Sequence, residues 1–143
     1  MRNAVLCVFV SVASLSNAPL LAAEGSGAIY SIAKILLDFT HVPDVSQKAT
    51  LQDILEDNTT TVAEKLLAQA LINVEHLASP DDKPKLEALI RDESAPPGVR
   101  TLATILNNLV HTPTEMDKKK LRQLLQQVCE PRNSIRHRCA PTR

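Results

Sequence analysis

The sequence predicts an all-α protein: three tandem antiparallel helical pairs of 35-residue period, stacked as a short two-layer array of the α-solenoid type. Three observations lead there. His41, His76 and His111 stand 35 residues apart, as do Lys48, Lys83 and Lys118, and Leu51, Leu86 and Leu121. A period of this length marks a helical-pair repeat, in which each unit is too small to bury its own apolar face and relies on its neighbours. Aromatic residues are scarce, limited to Phe9, Tyr30 and Phe39 with no tryptophan, so the core must be aliphatic. Only 3 glycines occur in 143 residues, and this composition favours helices over sheets.

The N-terminus reads as a secretory signal over residues 1–23. Arg2 precedes the apolar run AVLCVFVSVASL and then the small-residue region SNAPLLAAEGSG. Cleavage is expected after Ala23, with Gly25 as second choice. The run is short of the roughly 20 apolar residues that span a bilayer. The expectation is an exported chain, periplasmic or secreted, with no transmembrane segment after processing.

The repeat domain covers residues 24–131, in units of about 27–61, 62–96 and 97–131. The first helix of each unit carries apolar residues at i, i+3, i+4 and i+7. They are Ile29, Ile32, Ala33, Leu36 and Phe39; Leu67, Ala68, Leu71 and Val74; and Val99, Leu102, Ala103, Leu106 and Leu109. The small residue at 33, 68 and 103 predicts a close helix–helix approach. The second helix is shorter and bears a triplet: Leu51, Ile54, Leu55; Leu86, Leu89, Ile90; Leu121, Leu124, Leu125. Capping-box signals precede it in Asp44 with Gln47, Ser79 with Asp82, and Thr114 with Asp117. Pro80 is expected at the first helical position of the second unit, with Pro84 making that start irregular. Pro96 and Pro97 suit a helix start in the third unit. The unit length resembles the tetratricopeptide class and the stacked pairs resemble HEAT-like arrays. The aromatic, Gly and Ala positions that mark a tetratricopeptide unit are absent, so the likeness is one of architecture.

A polar ladder repeats at the end of the first helix: Asp38 with His41, Asn73 with His76, Asn108 with His111. The expected role is structural. A histidine in a last helical turn hydrogen-bonds free carbonyls and suits the negative end of the helix dipole, and its partner three residues earlier shares the helix face. A shared metal ion is not expected, because equivalent helices of neighbouring repeats lie about 8–10 Å apart. Two nitrogens on one zinc ion must lie within about 4 Å of each other. No metal and no cofactor follow from this reading.

Charge divides the chain. Residues 24–117 hold 7 Lys and Arg against 15 Asp and Glu, whereas residues 118–143 hold 8 basic residues against Glu130 alone. Lys118, Lys119, Lys120, Arg122, Arg132, Arg136 and Arg138 form a candidate basic contact for an acidic surface or polyanion. A solvated end cap and neutralisation of the acidic body are the other readings of the segment. Nucleic acid is not expected, since no aromatic residues interleave the basic ones to stack bases. Residues 132–143 form the basic C-terminal tail. Once Cys7 leaves with the signal, Cys129 and Cys139 remain as a pair suited to a disulfide in an oxidising compartment. Asn58-Thr59-Thr60 is a glycosylation sequon, meaningful in a eukaryotic host.

Catalytic signatures are missing: no serine elbow, zinc-protease helix motif or phosphate-cradling glycine loop is present. The expected role is therefore non-enzymatic: an exported helical-repeat module that binds or scaffolds protein through the concave layer of stacked helices. A small periplasmic inhibitor or immunity-type protein is the alternative, and a histidine-based metal-binding protein a remote one. Export and spacing together predict that Cys129 and Cys139 are oxidised to each other. Intact-mass analysis after thiol labelling of protein from its native compartment should find neither free, and two free thiols would refute the pairing.

Overall fold

The computed structural model describes residues 27–129, which form six helices. These are α1 (Gly27–Leu37), α2 (Val45–Glu56), α3 (Val62–Ile72), α4 (Lys83–Arg91), α5 (Pro97–Asn107) and α6 (Glu115–Cys129). Among the described residues there is no strand, only isolated bridges between Leu77 and Val110 and between Val110 and Thr112. The expected signal segment, the basic tail with Arg132, Arg136 and Arg138, and Cys139 of the expected disulfide lie outside the described residues.

Local chemistry sets most of the helix starts. Asp44 caps α2 by accepting the Gln47 N–H at 2.8 Å, while the Gln47 side chain accepts the Asp44 N–H at 3.0 Å. Thr61 and Glu64 do the same for α3, with the Thr61 N–H donating to Glu64 Oε2 at 2.9 Å. At α6 the Thr114 Oγ1 accepts the Asp117 N–H at 3.2 Å. Pro97 opens α5 at a position where a missing amide costs nothing. The second unit departs from expectation. Residues 80–82 form a turn, α4 begins at Lys83, and Ser79 supplies its backbone carbonyl to Asp82 and Lys83 rather than a side-chain cap. Pro84 explains the late start, because its ring restricts Lys83 and removes one amide from the first turn.

The apolar periodicity becomes a single aliphatic core. Each apolar residue expected on the first helices is buried, as are Leu51, Ile54, Leu86, Leu121 and Leu124 on the second ones. Ile35, Ala70 and Ile105 are buried as well, a second stripe at the same 35-residue spacing. A helix covered on one face needs one stripe. These inner helices carry more because neighbours surround them.

The packing order explains that second stripe. Helices α1, α3 and α5 pack against one another, and each outer helix sits chiefly on the inner helix of the following unit: α2 on α3, α4 on α5, α6 on α1. The last contact joins the two ends of the fold. At Gly98 an added Cβ would stand 3.1 Å from Leu124 Cδ1 and 3.6 Å from Ile29 Cγ2, so α1, α5 and α6 meet there with no room to spare. The helical pairs thus close on themselves, whereas the sequence suggested an open array. An open array of three units keeps its first and last helices apart; here the turn from one unit to the next is large enough that the third meets the first.

The links between units share a local device. Asp57 accepts the Thr59 N–H and hydroxyl at 2.8 Å each, and Asp92 accepts the Ser94 N–H at 2.9 Å and hydroxyl at 2.6 Å. The bond from the Thr59 N–H holds the Asp57 carboxyl below its ordinary value of 3.8, and the Ser94 hydroxyl bond does the same for Asp92.

Two predictions arise from this packing. Leu71→Ala and Leu106→Ala should each cost about 2–5 kcal/mol, as fully buried leucines do; urea melts showing under about 0.5 kcal/mol would remove both from the core. Because the Asp57 and Asp92 carboxyls are depressed, their contribution is present at neutral pH and is lost as pH falls through their native values, below the ordinary 3.8. The urea midpoint should therefore fall further on acidification in wild type than in Asp57→Asn/Asp92→Asn, and equal falls would show that the two turns add no pH dependence.

Candidate functional site at the histidine-bearing end

The connections at residues 38–44, 73–82 and 108–114 lie at one end of the molecule, where inner helices finish and outer helices begin. Each histidine stands four residues beyond its helix: His41 past Leu37, His76 past Ile72, His111 past Asn107. They are loop residues, so the expected role in a last helical turn does not hold. The cause is that Asp38, Asn73 and Asn108 already end the helical spiral. The Asn73 N–H still donates to Gln69 O, at 3.1 Å, and the Asn108 N–H to Thr104 O, at 3.2 Å. After them Phe39, Val74 and Leu109 turn into the core and divert the chain.

Of the polar partners Asn73 acts on the turn, while Asp38 and Asn108 lie exposed. Asn73 Nδ2 donates to Asp82 Oδ2 at 2.8 Å, bridging the end of α3 to the start of α4, and accepts from Gln69 Nε2 at 3.1 Å. Asp82 is 3 % exposed, and Lys85 Nζ reaches its other oxygen at 3.1 Å. Two donors thus satisfy a buried carboxylate. Asp38 lies exposed beside the first loop.

The structure brings the three histidines together. Their ring centroids are 5.2–5.6 Å apart, and one nitrogen from each ring lies within 4.8 Å of the others. This overturns the expectation of separated histidines. A spacing of 8–10 Å applies to helix axes in a row, whereas these side chains leave loops that converge where the ring of helices closes. The backbone fixes the convergence. The His76 N–H donates to the His41 carbonyl at 3.3 Å, and the His111 N–H to the His76 carbonyl at 2.7 Å. His76 and His111 also hold left-handed φ values of 76° and 60°. A side chain with a Cβ adopts that region uncommonly, and the surrounding structure must hold it there.

The surroundings are acidic and apolar. Segments 38–47, 73–82 and 108–117 contain Asp38, Asp44, Glu75, Asp81, Asp82, Glu115 and Asp117, and neither lysine nor arginine. Large exposed apolar side chains gather in the same segments: Val42, Val45, Leu77, Val110 and Met116, with Val62 alone at the other end. The sequence reading passed over these five. Apolar residues in polar loops and first helical turns, at offsets outside the apolar period, are the signal that could have found them.

The described part of the basic segment lies along α6. Lys118 Nζ is 3.0 Å from Glu115, whose carboxyl this bond holds below its ordinary value, and Lys120 Nζ is 3.9 Å from Asp117. Lys119 and Arg122 are exposed. Lys120 also lines a shallow groove of about 270 Å³ with Arg100, Thr101 and Thr104. Among the described residues no helix is long and apolar enough to cross a membrane. No known protein family, curated protein or solved structure matches the chain.

The Asn73 bridge yields a prediction. Asn73→Ala removes one donor from a buried carboxylate and should cost about 1–3 kcal/mol in urea unfolding. A change within about 0.5 kcal/mol would show that Lys85 and water satisfy Asp82 without it.

Proposed function

We propose that the protein is an exported binding module, acting without catalysis, whose working surface is the histidine-bearing end. The observation that carries this reading is the concentration there of five of the six large exposed apolar side chains among the described residues. An apolar cluster rimmed by polar groups marks a contact surface. The carboxylates there that pair with no lysine, Asp38, Asp44, Glu75 and Asp81, give the partner its chemistry: a protein surface that pairs apolar anchors with basic residues. The hydrogen-bonded loops favour binding by presenting these groups with little ordering cost. That rigidity equally suits an inhibitor or immunity-type protein seated on one enzyme, the second reading. The basic C-terminal segment remains a candidate contact for an acidic surface.

Val45 and Val62 make a matched pair for a test, each at the first position of a helix and each strongly exposed, at opposite ends of the molecule. Wild type and Val62→Asp should both capture the same stoichiometric partner from the native envelope or extracellular fraction. Val45→Asp/Leu77→Asp/Met116→Asp should lose it. A partner retained by the triple variant, a partner lost by Val62→Asp, or no stoichiometric partner of wild type would each overturn the proposal.

A further inference from the structure

We infer that His41, His76 and His111 bind one divalent transition-metal ion at the axis where the three helical units meet. The inference stands on the geometry of the imidazoles and does not depend on a protein partner.

The donor atoms are nearly in place. Ligating nitrogens within 4.8 Å of one another must close to about 3.4 Å to share a tetrahedral ion at 2.0–2.1 Å. The three side chains are exposed, which leaves rotation about χ1 and χ2 open to close that difference. The rings are inclined to one another at 60–83°, so they are not stacked on each other's faces. Three imidazoles suit Zn²⁺, Co²⁺, Ni²⁺ or Cu²⁺ rather than Mg²⁺ or Ca²⁺, which take oxygen donors. Three protein ligands leave at least one position to water, the pattern of an open and exchangeable site.

Two further observations point the same way. The backbone that gathers the rings is itself costly: two successive units place a histidine at positive φ and link it by its N–H to the preceding histidine's carbonyl. The same three segments carry seven carboxylates; Asp82, Glu115 and Asp117 pair with Lys85, Lys118 and Lys120, and the other four, Asp38, Asp44, Glu75 and Asp81, draw cations toward the rings. The helix-end role that would otherwise account for the histidines is gone, since all three lie past their helices. One unit alone offers one imidazole, and only the closed ring makes the set.

The test is titration of the full mature protein with Co²⁺, followed by its visible absorption, and with Zn²⁺ in competition with a chelating dye. One equivalent should bind. His41→Asn, His76→Asn and His111→Asn should each weaken binding at least about tenfold, ligand loss costing no less than loss of a supporting contact. Asparagine is chosen because it tolerates the left-handed region, so the loops keep their path; circular dichroism checks that the fold persists. His137→Asn, in the C-terminal segment, should bind as wild type does. Absence of both Co²⁺ bands and dye competition in wild type would overturn the inference, as would unchanged affinity in the three triad variants or loss of binding in His137→Asn. Partner capture by metal-free protein would leave the contact surface standing if the ion site failed.

Discussion

The structure depends on the mutual packing of three short inner helices about a common axis. Each has only 11 residues, about three turns, too few to be stable alone in water. Ala33, Ala68 and Ala103 are fully buried on these helices, and their small side chains suit the close approach. Around them Ile32, Leu36, Leu67, Leu71, Leu102 and Leu106 are completely enclosed. Closure by α6 on α1 gives the first helix the outer cover that α2 and α4 give the other two. A chain with so few aromatic residues therefore builds its core from aliphatic side chains that neighbours cover on several sides.

Closure also creates the candidate site. In a row of units, corresponding loops follow one another along an edge and equivalent side chains stay apart. When the row bends into a ring, the same loops converge at one end and three distant histidines become neighbours. Each inner helix ends at Asp38, Asn73 or Asn108, a buried Phe39, Val74 or Leu109 diverts the chain, and the histidine follows. The exposed Val42, Leu77 and Val110 ride on these loops, and Val45 and Met116 on the first turns of α2 and α6, while Pro43, Ala78 and Pro113 take the inward places.

How much of this was legible can be argued from particular residues. The 3.6-residue period identified Leu67, Leu71, Leu102 and Leu106 as core because burial on one helix face leaves that imprint whatever the neighbours are. Asp44 with Gln47 and Thr114 with Asp117 were legible as caps because a cap is a local interaction over three residues. Ser79 with Asp82 misled, since the same letters face a competing use: Asp82 is buried and held by Asn73 and Lys85. Ile35, Ala70 and Ile105 were missed because a single-stripe template has no place for a helix surrounded by others. The histidines were visible as a ladder, but their separation was misjudged because an axis-to-axis distance says nothing about side chains on converging loops.

The sequence by itself determined the helices, their number, the 35-residue register and most of the aliphatic core. These follow from spacing and capping, which act over a few residues. Only the tertiary structure decided whether the register forms a row or a ring, and with it the neighbours of His41, His76 and His111. The rotation from one unit to the next is the sum of many small packing choices among leucines, isoleucines and alanines, and no single residue encodes it. A repeat states that the units are alike; the angle between them states what they bring together.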